Sequence, residues 1–228
     1  MTLESSKNLG GIGAIISFIG SIGFLFYQYL IGLLVVGVIL IFVALRGYGN
    51  YFKETGIVAN AIYGLVTSIV GIAVTGIVGI FIVFDTNIVK NFLLDLWPTW
   101  NQSWSTLPSI ASTTPNTTNL PNAGLVNFFG AVFALIVVIS AFAIVSAFFV
   151  RRSLKIVAVK TLNKWFATSG LVLLIGAFLM LAFLLPGLLV IWVAEIILAF
   201  AFFAKTAEQP QQMQTNTAPP PTSTPVLV

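Results

Sequence analysis

The sequence predicts an all-α fold: a polytopic membrane bundle of six transmembrane helices, with a further helix on the outer membrane surface. Three observations carry that expectation. Of 228 residues, 58% are hydrophobic and 7% are charged, and the mean hydropathy is +1.06. A helix needs roughly 20 apolar residues to cross the hydrocarbon core, and the chain holds several uncharged runs of that order. The few cations fall almost wholly on one side of the threading that those runs define.

The elements follow in order. Span one is about 9–28, LGGIGAIISFIGSIGFLFYQ, and span two about 29–45, YLIGLLVVGVILIFVAL. Tyr27, Gln28 and Tyr29 separate them, which predicts a tight hairpin with its tyrosines at the membrane interface. A polar stretch, 46–56, leads to span three at about 57–84, long enough to tilt or to project. Residues 85–123 form an extracellular loop. From Trp97 to Ala123, 18 of 27 residues are Ser, Thr, Asn or Pro, too polar to build a core. Ahead of that lies DTNIVKNFLLDLWP, 85–98, whose apolar residues share one half of a helical wheel. Capped by Asp85 or Thr86 and ended by Pro98, it reads as a surface helix with Phe92 and Trp97 facing lipid. Trp97, Trp100 and Trp104 would mark the headgroup level.

Span four is about 124–150, and a basic loop follows at 151–165, RRSLKIVAVKTLNKW, with five cations and no acid. Within it Leu154, Val157, Ala158, Leu162 and Trp165 share a helical face, while Ile156 and Val159 do not. Span five is about 166–185, Pro186 and Gly187 make the turn, and span six is about 187–204. The membrane domain thus covers 1–205. The tail, 206–228, is rich in Pro, Gln and Thr and is expected to be a disordered cytoplasmic segment. Leu30-Ile-Gly-Leu-Leu34 and Leu185-Pro-Gly-Leu-Leu189 stand at corresponding outer turns, as an old duplication or a chance recurrence would leave them.

Charge sets the sides. With the N-terminus inside, the inner segments hold Lys7, Arg46, Lys53, Arg151, Arg152, Lys155, Lys160, Lys164 and Lys205, and the outer segments hold Lys90 alone. The positive-inside bias therefore places both termini in the cytoplasm of a multi-pass protein of the cell membrane. The sequons Asn101-Gln-Ser and Asn116-Thr-Thr fall outside, so Asn101 and Asn116 are the glycosylation candidates. No Ala-x-Ala-type site precedes span one, which is expected to stay as a signal anchor.

The chain has no Cys and no His. Thiolate and imidazole chemistry, disulfides and most zinc, haem and iron–sulfur ligation are excluded, so no metal, cofactor or catalytic residue is assigned and no enzyme is expected. The pI near 9.5 reflects topology-setting cations rather than nucleic-acid binding.

Glu195 is the one acid deep in a span. An ionised acid at a helix centre costs roughly 2.5–3.5 kcal/mol, which marks such a residue as a functional site or a buried partner. With no cation at its depth it is expected to be uncharged and to share a hydrogen bond with a hydroxyl of another span. Ser17, Ser21, Thr67, Ser68, Thr75 and Ser140 are the candidates. Small residues recur at helical spacing in span one (Gly10, Gly13, Ser17, Gly20) and span three (Gly64, Ser68, Gly71, Thr75, Gly79), as close helix packing or a gated pore would need. Arg151, Arg152, Lys155, Lys160 and Lys164 are candidates for anionic lipid headgroups, or simply topology-setting charges.

LESSKNLGGIGAIISFIG (3–20), the segment from Ala44 to Glu54, NAIYGL (60–65), RRSLKIVAVKTLNKWFATSGLVLLIGAFL (151–179) and LAFAFFAK (198–205) together resemble an archaeal membrane-protein family, domain of unknown function 996. The likeness covers about 3–205. It implies a multi-pass archaeal membrane protein without an assigned activity. Some members end in a Cys-containing, zinc-ribbon-like tail, which a chain without Cys cannot form. The function expected from all this is structural or accessory, through membrane lipids, protein partners or a homo-oligomer. The alternative is a small transporter or channel using Glu195.

Overall fold

The computed structural model describes residues 2–84, 87–115 and 123–204. Among them the chain is helical, without strands: α1 (Leu3–Gly23), α2 (Ile31–Phe52), α3 (Thr55–Phe84), α4 (Ile88–Leu96), α5 (Leu107–Ala111), α6 (Ala123–Thr161), α7 (Lys164–Ala182) and α8 (Leu184–Phe203). Five of these, α2, α3, α6, α7 and α8, are long and apolar enough to cross a membrane. Helix α1 opens on Glu4, Lys7 and Asn8, so its apolar part is shorter. It nevertheless runs antiparallel beside α2, Gly13 against Leu40 and Gly20 against Leu34.

Several boundaries differ from the sequence expectation. Helix α1 starts six residues early because the Thr2 hydroxyl accepts the Ser5 amide at 3.2 Å and caps it. Helix α2 continues through Arg46 to Phe52 because Tyr48 belongs to the core. The expected polar stretch shrinks to a turn at Lys53, in the left-handed region at φ 53°, with the Glu54 amide donating to the Gly49 carbonyl at 2.9 Å.

The basic loop is not a loop. Span four and residues 151–161 form one 39-residue helix, about 58 Å long at 1.5 Å per residue. Neither Gly nor Pro interrupts the chain from 131 to 161. Leu154, Val157 and Ala158 are buried as that face predicted, but Leu162 and Trp165 are exposed, since the helix has already ended. Leu162 makes the turn at φ 54°, and the Asn163 amide reaches back to the Ala158 carbonyl at 3.1 Å.

The last turn also moves. The chain reverses at Phe183, and Pro186 and Gly187 lie inside α8. Pro186 falls in the first helical turn, where its missing N–H would have had no partner. Gly187 is where α7 and α8 touch: a Cβ there would lie 2.4 Å from the Met180 nitrogen.

Helix α4 forms, and half-buried Phe92 packs on α6. It stacks on Phe128 of α6 with centroids 4.2 Å apart, and Asp95 accepts the Leu125 amide at 3.1 Å. A carboxylate at a helix start meets both unpaired amides and the positive end of the dipole, and that fixes α4 on α6. Trp100 is buried, its indole donating to the Ser103 carbonyl at 3.0 Å, while Trp104 is exposed. Asp85, Thr86, Asn116, Lys205 and the tail lie outside the described residues.

The helices stand in the order α2, α1, α8, α7, α6, α3, each packed on the next, with α2 meeting α3 again beside their turn. The main core lies at that end. Tyr48, Phe166 and Phe202 meet there at 5.0–5.9 Å between centroids, with Leu3, Ile57, Leu154 and Val157 around them.

Two tests address this packing. A Cβ at Gly37 would lie 2.3 Å from the Ser17 nitrogen, whereas Gly76 has open space. Gly37→Ala should destabilise the protein by about 1–3 kcal/mol, the usual cost of overpacking, and Gly76→Ala should not. Thermal unfolding in detergent reads both. Tyr48 is fully buried and its hydroxyl has no partner among the described residues. Tyr48→Phe should therefore leave the unfolding midpoint unchanged or raise it, while Tyr48→Ala should cost about 3–5 kcal/mol.

Candidate functional site

The residues that gather at the middle of the bundle are Ser17 and Ser21, one turn apart on α1, and Glu195 on α8. The Ser17 hydroxyl donates to Glu195 Oε1 at 2.8 Å. Ser21 Oγ lies 3.1 Å from Glu195 Oε2 and also 2.9 Å from the Phe18 carbonyl oxygen. Ser21 has one hydroxyl proton for two acceptors. All three contacts are satisfied together when Glu195 holds a proton on Oε2 and gives it to Ser21, which in turn donates to Phe18. The hydrogen-bond count therefore fits an uncharged carboxyl.

Glycines make this approach feasible. A Cβ at Gly10 or Gly11 would lie 2.3 and 2.4 Å from the rings of Phe202 and Phe203, so α1 and α8 come close there. Ser17 is buried and Glu195 half-buried. Beside them runs a groove of about 370 Å³, lined by Ala14, Ile15, Phe18, Ile19, Glu195, Ile196, Ala199, Phe200 and Phe203. Apart from Glu195, every one of these side chains is apolar. The other described acids, Glu4, Glu54 and Asp95, sit in terminal turns or the α4 helix, so no second carboxyl joins Glu195.

The remaining hydroxyl candidates, Thr67, Ser68, Thr75 and Ser140, do not join Ser17 and Ser21 at Glu195. Ser68 and Ser146 lie 2.7 Å apart and both donate to the Gly64 carbonyl or to each other, tying α3 to α6. Thr75 Oγ1 and Ser140 Oγ are buried with no hydrogen-bond partner among the described residues.

Residues 33–196 match a family described as protein of unknown function, DUF996. The chain belongs to it. The DUF996 match includes Glu195 but not Ser17 and Ser21, and it leaves out the segments 3–20 and 198–205 on which the resemblance also drew. No curated protein and no solved structure matches the chain.

The basic residues of this DUF996 chain do not form one cleft. Lys155 and Lys164 are exposed, Arg151 is half-buried and exposed Arg152 lies 4.5 Å over the Phe148 ring. Lys160 pairs with Glu54 at 3.1 Å, with each side chain about a third exposed (37% and 35%). Asn101 is exposed, and its Oδ1 accepts the Ser103 amide at 3.0 Å and the Thr106 hydroxyl at 2.8 Å. A cavity of about 590 Å³ at the α2–α3 turn, lined in part by Asn50, Lys53 and Thr55, was not foreseen. The available signal was the polar run of Asn50, Lys53, Glu54 and Thr55 ahead of span three.

Glu195→Gln keeps the shape and a donor for Ser21, so it should leave the unfolding midpoint within about 0.5 kcal/mol of wild type. Glu195→Leu strands the Ser17 hydroxyl and should cost about 1–3 kcal/mol. Equal losses in the two variants, measured by thermal unfolding in detergent, would contradict this.

Proposed function

We propose that this DUF996 protein is a non-enzymatic accessory protein of an archaeal cell membrane, with six spans and both termini in the cytoplasm, acting through lipids or protein partners. The observation that carries the reading is the setting of Glu195. Its carboxyl is committed to two serines in a helix contact, and the groove beside it offers no further polar group. A transport route needs a succession of polar groups across the bilayer, and the described residues around Glu195 supply none beyond this cluster. Nucleic acid has no part in the reading, since the cations lie at a membrane boundary.

A proton-coupled transporter is the second reading. It is favoured by the groove, which brings lipid-exposed space to the one carboxyl in the bilayer. Glu195→Gln separates the two readings, because an amide cannot release a proton. The accessory reading expects purified Gln variant and wild type to give the same proton flux in liposomes. A wild-type flux abolished in a well-folded Gln variant would overturn it.

Orientation has its own test. Ser153 is fully buried, its hydroxyl donating to the Ile57 carbonyl at 2.8 Å, so a cysteine there would be shielded whichever way the chain faces. Lys155 and Thr113 are both exposed and serve instead. In intact cells a cysteine at 113 should react with an impermeant maleimide and one at 155 should react only after lysis. The opposite pattern inverts the topology.

A further inference from the structure

We propose that the cavity at the α2–α3 turn is a binding site for a single anionic phospholipid, its headgroup on Lys53 and Asn50 and an acyl chain along the exposed faces of α2 and α3. This deepens the accessory reading and rests on it.

The argument begins with charge. Lys53 forms no ion pair among the described residues, and it lines the cavity beside Asn50 and Thr55. Glu54 also lines the cavity, and its side chain is paired with Lys160 at 3.1 Å. The cavity therefore presents an uncompensated ammonium with an amide and a hydroxyl, a donor set suited to a phosphate oxygen cluster. The side chain of Lys53 is exposed, but the residue is carried on an ordered turn. It sits at φ 53° in a turn whose Glu54 amide is bonded to the Gly49 carbonyl, so its backbone is fixed.

The second part of the argument is direction. On α2, the face that carries Asn50 and Arg46, just ahead of Lys53, continues at helical spacing to Val43, Ile39 and Val36, all exposed. On α3 the cavity wall at Ala59 and Ile62 continues to Val66 and Ile69, also exposed. Each stripe changes from polar to apolar along the helix axis. Val36 to Arg46 spans ten residues, about 15 Å at 1.5 Å per residue, which is half of a ~30 Å hydrocarbon core. A polar, cationic end followed by one leaflet's depth of apolar surface is complementary to one phospholipid. A free phosphate would use only the first part.

The test is native mass spectrometry of the full chain in detergent, with phosphatidylglycerol and phosphatidylcholine as competing probes. Wild type should retain one phosphatidylglycerol in preference to phosphatidylcholine. Lys53→Asn removes the cation and suits the left-handed backbone, so the fold should persist while retention falls about fivefold, the worth of one cation at a membrane surface. Ala59→Trp fills the cavity without altering any charge and should also release the lipid. The double variant Arg151→Gln/Arg152→Gln should retain it. If Lys53→Asn or Ala59→Trp keeps the lipid while folding normally, the site is wrong. If retention is lost only with Arg151 and Arg152 replaced, the site is wrong but a lipid role stands. If no variant and not even wild type prefers phosphatidylglycerol, the site and the lipid-contact reading fall together, and only protein contacts remain for the accessory role.

Discussion

In hydrocarbon, apolar side chains gain little by leaving lipid for one another, so helices hold together by close backbone approach and by the few polar groups they bury. Helix α1 depends on this constraint more than any other element. On one side Gly13 and Gly20 accept α2, and Gly37 leaves room for the Ser17 backbone. On the other side Ser17 and Ser21 reach Glu195 of α8. One seam of small residues therefore joins two neighbours, and Ser17 serves both: its backbone fits against α2 and its hydroxyl against α8. The α7–α8 pair repeats the device at Gly176 and Gly187, each too close to the facing helix for a Cβ. The α3–α6 pair uses Gly64 and Gly71 together with the Ser68–Ser146 bond.

The cation-bearing end is organised differently. There the helices converge on Tyr48, Phe166 and Phe202. Aromatic rings bury large areas and tolerate edge-on contacts, so three of them can join α2, α7 and α8 at one point. Two turns bring the helices to that point, and both put a non-glycine residue, Lys53 or Leu162, in the left-handed region. Such a residue costs roughly 1–2 kcal/mol. The return is that carbonyls at the ends of α2 and α6 are bonded within five residues, and that Asn163 is left to cap α7 and to donate to the Ala201 carbonyl of α8 at 2.9 Å.

How much of this was legible in the sequence varied with the physical signal. Long apolar runs are unambiguous, so the helices of the bundle were readable, as was the partnership of Glu195 with hydroxyls on another helix. Which hydroxyls, out of six, required the helix order, and hydropathy contains no helix order. Boundaries were misread wherever polarity was taken as the end of a helix. Arg46 and Arg151 are polar, but the helices around them continue because Tyr48, Leu154 and Val157 have core positions beyond the charge. Pro186 was read as the turn, although proline is at home in a first helical turn. A helical wheel shows that the face of Phe92 is apolar but not which neighbour packs on it, and that neighbour is Phe128.

The balance of charge in the bundle leads back to its surroundings. Glu195 needs no cation, because two hydroxyls serve it, and Asp95 is satisfied by the start of α6. The opposite holds at the convergent end. Eight described cations, from Lys7 to Lys164, belong to its segments, against two acids, Glu4 and Glu54, and one ion pair is formed there. Like charges so arranged repel, and a membrane surface offers two remedies: mobile counterions, which act within a Debye length of about 8–10 Å, and fixed anionic headgroups. Counterions can serve Lys155 and Lys164, which are exposed. Lys53 is exposed as well, but it lines the groove at the α2–α3 turn beside Val58 and Ile62, so on the lipid proposal its counterion would be a headgroup whose own hydrocarbon meets the apolar wall. The fold thus resolves the polar groups of Glu195 and Asp95 internally and leaves most of the described cations at the convergent end without an ion pair.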